Sequence, residues 1–301
     1  MTGRLGGKLR RLAWASRPYL LWRSLRDWRA LRKAFLADAS KPQMQTATRL
    51  AVLFIGTSRY LHFFPPFYSS LRNRFLPATP KTFFVFTDRT KEPLLAGKKD
   101  VMVVPVPHQD FPRVNLLKFK FINQAKEALQ DYSHIVYIDA DMYADAVTSE
   151  QEFFCHDKPL FAVQHYNYVR KSAHWAFERN QASMAGVGED DDLSIYWQAC
   201  FWGGRRDAFL EAVRLMEVWT DIDLGRGIVA KWWDESFLNK YLAGRRAIVH
   251  TYPPSYAWPA RKPVPGSFRM KLVHVDDNPD ALRDAPSIKA TIREKAQRGT
   301  T

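Results

Sequence analysis

The chain has 301 residues, enough for one large α/β domain or two modest ones with a sizeable core. Apolar residues make up 46% and aromatics 14%, which excludes intrinsic disorder; two cysteines, Cys155 and Cys200, provide no disulfide framework and point to buried thiols in a reducing, cytoplasmic setting. The net charge of +14 is concentrated, because residues 1–45 carry eleven Lys/Arg against Asp27 and Asp38 and so hold +9 of it.

Arg and Lys interrupt every apolar stretch of that arm, so it reads neither as a secretory signal nor as a bilayer span. Past Pro18, Leu21, Leu25, Trp28, Leu31 and Phe35 recur at helical spacing, with Arg23, Arg26 and Lys33 off the stripe. A basic amphipathic helix of this kind suits an anionic membrane surface. A helix packed on the body with a solvated basic face has the same pattern, and nucleic acid is a third and less favoured partner. Residues 39–48 read as a linker.

Residues 50–55 form an apolar strand ending at Gly56-Thr57-Ser58-Arg59-Tyr60. A small, polar turn after a first strand suits a nucleotide, although it is neither a P-loop nor a GxGxxG. Further strands follow at 82–86 and 101–106, then a helix over 115–129 that carries Lys118 and Lys120. Strands separated by helical spacers predict a mostly parallel, Rossmann-like α/β sheet.

The run Ile135-Val136-Tyr137-Ile138 has the composition of a buried strand and stops at Asp139-Ala140-Asp141. Carboxylates at i and i+2 leave a strand on one side and repel unless a hard cation sits between them. Mg²⁺ or Mn²⁺ held by one or two carboxylates completes its shell with substrate phosphates. The residues therefore suit a metal–diphosphate site at a strand's carboxyl end, where open α/β sheets bind ligands. A strand running into an acidic turn has the same sequence.

Residues 159–164 read as another strand, with His165 at its end. A polar loop spans 166–194, and a loop that long is usually functional. Residues 198–204, Gln-Ala-Cys-Phe-Trp-Gly-Gly, have the mixture of a pocket wall, and a helix covers 205–219. At 232–242, Trp-Trp-Asp-Glu-Ser-Phe-Leu-Asn-Lys-Tyr-Leu opens a helix. Acids suit a helix N-terminus; tryptophan beside acids is also how sugar rings are held. Strands follow from 248 and over 271–275, the latter with His274, and a charged helix ends the chain.

The block at 232–242 resembles the Trp-x-Asp-Glu-Ser-x-Leu-Asn-Lys-Tyr signature of glycosyltransferase family 6, which holds the ABO blood-group transferases and the α-1,3-galactosyltransferases. The order of the other motifs agrees: Arg59-Tyr60, Phe84-Val85-Phe86-Thr87-Asp88, Asp139-Ala140-Asp141, Phe177-Glu178-Arg179 and Phe201-Trp202-Gly203-Gly204. The resemblance covers about residues 49 to 260. It implies a GT-A fold, a UDP-sugar donor (UDP-galactose or UDP-N-acetylgalactosamine), Mn²⁺ or Mg²⁺, and α-1,3 transfer with retention to a glycan or glycolipid acceptor.

Carried over by position, Asp139 and Asp141 would hold the metal and, with Ala140, meet the diphosphate. Ile55, Gly56, Thr57 and Tyr60 would cradle uridine, and Lys118 falls near a family arginine at the phosphates. Glu235 would be the catalytic carboxylate, as nucleophile or as stabiliser of an oxocarbenium-like centre, with Asp234 beside it. His165 and Trp232 would contact the acceptor, and Gln198 and Cys200 fall where the family sets sugar selectivity. Trp233 replaces the blood-group enzymes' histidine, and Trp258-Pro259 lacks the Asp that follows Trp in their acceptor loop. The mammalian enzymes have a membrane anchor and stem where this sequence has a basic arm, which implies a bacterial-type, cytoplasmic member, peripheral on the inner membrane face.

The expected layout is a helical arm over 1–45, a GT-A domain over 49–280 and a charged tail over 281–301. Two other functions fit parts of the pattern. In an Asp-x-Asp phosphohydrolase, Asp139 would be the nucleophile, but that class places its motif on the first strand. A non-catalytic protein would bind membrane or nucleic acid through the arm. His274 is either structural or a third metal ligand.

Overall fold

The computed structural model describes residues 49–168, 173–263 and 269–275. The basic arm, the linker, part of the Pro-rich loop and the tail, about which the sequence raises expectations, lie outside them.

A seven-stranded sheet is built from β1 (Leu50–Ile55), β2 (Lys81–Thr87), β3 (Val101–Pro105), β4 (His134–Ile138), β6 (Leu160–Gln164), β7 (Trp197–Arg205) and β8 (Val249–Tyr252), in the order β3-β2-β1-β4-β7-β6-β8. All neighbours run parallel except β7, which is antiparallel to both β4 and β6. The strands of its centre are near-continuous apolar runs because both faces are covered: all six residues of β1 are buried, as are the last four of β4. Helices α1 (Phe64–Arg74), α2 (Arg113–Leu116), α3 (Lys118–Gln124), α4 (Glu150–Phe153), α5 (Arg206–Gly225) and α6 (Trp233–Ala243) flank it. A small sheet of β5 (Met142–Ala144), β9 (Trp258–Pro259) and β10 (Leu272–His274) leads away from the end of β4. This is a mixed α/β fold of GT-A type, as the resemblance implies.

The core is aromatic. Phe54 packs on Phe64 and Phe67 with centroids 5.3 and 4.9 Å apart, and Phe153 stacks on Tyr252 at 4.9 Å. Edge-to-face and offset contacts of this kind add to simple burial.

Three expectations are corrected. The helix over 115–129 is two short helices broken at Leu117 (φ −88°, ψ 1°), and the break turns Lys118 into the interior. Residues 198–204, with the mixture of a pocket wall, lie on the central strand β7; Gly203 and Gly204 stand where a Cβ would lie 2.3 Å from the Ile135 carbonyl oxygen and 2.2 Å from that of Pro159. The helix after it runs on to Gly225, since Thr220 and Asp223 extend the buried stripe of Val213, Met216 and Trp219. Cys155 is exposed, and only Cys200 is a buried thiol.

Candidate functional site

The strand order turns back on itself around β1, with β2 on one side and β4 on the other. Ligands bind beyond the carboxyl ends of strands at such a switch point. Here an open cleft is lined by Ile55, Thr57, Tyr60, Lys118, Asp139, Ala140 and Asp141. Gly56 lies just beneath it, against the Phe54 ring. The opposite wall, from His108 to Asn115, escaped the sequence reading because no periodic pattern marks it. There His108 Nδ1 meets the Thr57 hydroxyl at 2.9 Å, while the Ser58 N–H donates to Asp88 at 2.8 Å and fixes the turn.

At the cleft floor three charges are locked together. Lys118 Nζ lies 2.5 Å from Asp234 Oδ2 and 3.4 Å from Asp139 Oδ1, above the Tyr137 ring at 4.1 Å. The Tyr137 hydroxyl donates to the same Asp139 oxygen at 2.6 Å. Burial works against the lysine's charge, but the Asp139 and Asp234 carboxylates outweigh it and hold its pKa well above the ordinary value. Burial also lifts Asp234, against the pull of Lys118.

The signature at 232–242 is a set of tethers. The Trp232 N–H donates to the Ser236 hydroxyl at 2.9 Å, closing the first turn of α6. Trp233 takes a left-handed φ of 50°, costly for a bulky side chain. That turn directs Asp234 to Lys118 and Glu235 to the Ala199 N–H, which donates at 3.1 Å. Asn239 accepts from the Trp197 N–H at 2.9 Å and donates to its carbonyl at 2.8 Å, as a neighbouring strand would, and Lys240 pairs with Asp191 at 2.8 Å. Buried Glu178 of the Phe-Glu-Arg motif accepts from the Lys231 N–H at 2.6 Å and so anchors the approach to α6. Burial pushes the Glu235 carboxyl up to about 7, with the Ala199 N–H and Tyr196 hydroxyl pulling the other way.

The remaining predicted residues gather beyond Asp139 and outside the first cleft. The Cys200 carbonyl accepts the Asp139 N–H at 2.8 Å, and burial keeps its thiol protonated. Gln198 Nε2 lies 3.2 Å from His274 Nε2, while its buried Oε1 has no hydrogen-bond partner. His274 Nδ1 faces Asp141 Oδ1 at 3.6 Å, and Val275 N–H holds the Asp141 carbonyl at 2.6 Å. Although burial opposes it, the Asp141 carboxylate raises the His274 pKa. His165 is neutral, pushed down to about 4 by burial and then by Lys262 and His274. Trp232 is half-buried, 6.3 Å from Trp233 across the start of α6.

Asp139 and Asp141 thus share one cleft with the Thr57 turn and Lys118. Among the described residues no group of three or more His, Cys, Asp or Glu is placed to enclose a metal. The donor set is instead two half-exposed carboxylates lining the cleft. That suits a hard cation whose shell is completed by substrate and water.

The sequence profile described as glycosyltransferase family 6 matches residues 30–284. The chain belongs to that family. Its relatives include the O-antigen biosynthesis glycosyltransferase WbnI of Escherichia coli, 27% identical over 211 residues that cover 70% of this chain and 88% of the relative. The mouse globoside α-1,3-N-acetylgalactosaminyltransferase 1 is 25% identical over 242 residues, 78% of this chain and 68% of its own. The rat histo-blood group ABO system transferase 1 is 26% identical over 247 residues, 79% and 69%. The family 6 enzyme is therefore a glycosyltransferase, and the phosphohydrolase and non-catalytic alternatives are set aside.

Proposed function

We propose that the enzyme transfers galactose or N-acetylgalactosamine from UDP to a glycan hydroxyl in α-1,3 linkage, with retention and with Mn²⁺ or Mg²⁺. The carrying observation is that Asp139, Asp141 and Lys118 share the cleft at the carboxyl end of β4, while Glu235 in the first turn of α6 is held by the Ala199 N–H, next to the Cys200 carbonyl that takes the Asp139 N–H. The Thr57–Tyr60 turn and the His108 wall would hold the nucleoside. Asp139 and Asp141 would hold the metal, which when bound supplies positive charge to the diphosphate. Lys118 is a permanently charged, fixed partner for the same developing charge and needs no reorganisation as it forms. Glu235, backed by the Ala199 N–H, would face the sugar's anomeric carbon and act as nucleophile or stabilise positive charge there. The unpaired Gln198 oxygen would accept a sugar hydroxyl or amide N–H, since a buried acceptor without a donor is costly.

Calorimetric titration of UDP with and without Mn²⁺, in wild type and Asp141→Asn, tests the donor site. Tight binding that needs both the metal and the carboxylate is expected; equal binding in all four titrations would sink the assignment. The arm at 1–45 would hold the enzyme on an anionic membrane from the cytoplasmic side, near a lipid-borne glycan acceptor. No helix of the described residues is long and apolar enough to cross a membrane. Deleting residues 1–40 should weaken sedimentation with anionic vesicles and leave turnover of a soluble acceptor unchanged.

A further inference from the structure

One large side chain near Glu235 has no role in this scheme. Trp175 is 59% exposed, whereas Trp197, Trp202 and Trp219 are buried. Its sequence neighbours go inward: Ala173, Ala176 and Phe177 pack with Val187 and Tyr196 in a small cluster of their own. A tryptophan left in water forgoes the largest apolar burial a side chain offers.

The ring is exposed but held. It meets Tyr168 at 5.6 Å and 71°, and Trp232 at 6.4 Å and 73°. Lys231 Nζ lies over the ring at 5.4 Å and donates to the Trp175 carbonyl. Such cation–aromatic contacts restrict a side chain without covering it. The aromatic surface is continuous with the reaction centre. Trp232 caps the helix whose first turn carries Glu235, and the Tyr168 hydroxyl is close enough to Glu235 for that carboxylate to raise its pKa, after burial. Beside it, exposed Arg179 reaches His174 Nδ1 at 3.3 Å. A pyranose presents a patch of C–H bonds on its face and hydroxyls around its rim. A fixed indole plane matches the first, and side chains such as Lys231 and Arg179 match the second.

We propose that Trp175 forms the floor of an outer acceptor subsite that takes the second sugar of the acceptor. The enzyme then acts on the end of an oligosaccharide, and a monosaccharide leaves this surface empty. The inference rests on the reading of Glu235 as the sugar-transfer centre.

The test is calorimetric titration of the UDP- and Mn²⁺-loaded enzyme with matched mono-, di- and trisaccharide methyl glycosides ending in galactose, N-acetylgalactosamine or glucose. In wild type, one series should gain about 5- to 10-fold in affinity on adding the second sugar, within the range of a single aromatic contact. Trp175→Ala should erase the gain, Trp175→Phe should keep most of it, and UDP affinity should be the same in all three proteins. A gain that survives Trp175→Ala, or a wild type with UDP bound and no gain in any series, overturns the subsite. Failure to bind UDP with or without Mn²⁺ would instead overturn the donor-site reading, so the two failures are distinguishable.

Discussion

Glu235 combines burial with a single backbone donor, and that combination sets its ionisation near neutrality. Its carboxyl stands at about 7 because burial penalises the charged form more than the Ala199 N–H and the Tyr196 hydroxyl favour it. A group needed as carboxylate then loses activity as pH falls through that value. The kcat/KM of the wild type should show an acid limb near 7, and Glu235→Gln should cut kcat by about 10²-fold or more with UDP affinity nearly unchanged. Steady-state kinetics with UDP calorimetry checks both; an unaltered kcat would remove Glu235 from the chemistry. Lys118 is the contrasting case. Its position on a helix was legible in the sequence, but its pairing with Asp234 spans 116 residues, and no local pattern encodes such a contact.

At the scale of the element, composition and period carried most of the information. The runs at 50–55, 82–86 and 135–138 became β1, β2 and β4 because continuous apolar segments bounded by turns are buried strands. The Asp-Glu-Ser block read correctly as a helix start. Its left-handed Trp233 did not, because the conformation is imposed by tethers at Ser236 and Glu178 rather than by local preference. The antiparallel direction of β7 was also invisible, since a strand's polarity is a property of its neighbours. Its glycine pair was nonetheless a usable signal: two adjacent glycines in an apolar run mark close backbone approach. Gly203→Ala places a Cβ 2.3 Å from the Ile135 carbonyl oxygen and 2.9 Å from Val136 Cα, both backbone atoms that cannot rotate away. It should destabilise the protein by about 2–3 kcal/mol in urea denaturation. A loss no larger than that of a surface alanine would mean β4 and β7 separate more easily than their register implies.

Across the whole molecule, the titratable groups sort to the two ends of the sheet. Asp139, Asp141, Glu235 and His274 lie at the carboxyl end of β4. At the other end, His134 opens β4, His156 precedes β6 and His250 sits near the start of β8. His156 and His250 stack at 3.9 Å and 12°. Burial pushes His134 to about 4; burial and then the neighbouring His250 push His156 to about 4; burial lowers His250. An unfolded histidine titrates near ~6.5. The unfolded chain therefore takes up protons first on acidification, so stability present above about 6.5 is lost as pH falls towards 4. Glu235 and His274 have raised values and bind protons more readily when folded, which gives the opposite slope. The separable quantity is thus a difference between proteins, not the wild-type curve alone. His156→Gln removes the stacked pair's mutual repulsion and leaves an amide for the Tyr252 hydroxyl, 3.2 Å from His156 Nε2 in the native chain. Its partial exposure holds the effect to about 1 kcal/mol, so between pH 6.5 and 4.5 the wild-type Tm should fall about 2–4 °C further than that of the variant. The acid limb of kcat/KM near 7 should be the same in both. Parallel Tm curves would mean that the His156 end is hydrated enough to accept charge, and a shifted kinetic limb would mean that the two ends of the sheet are coupled.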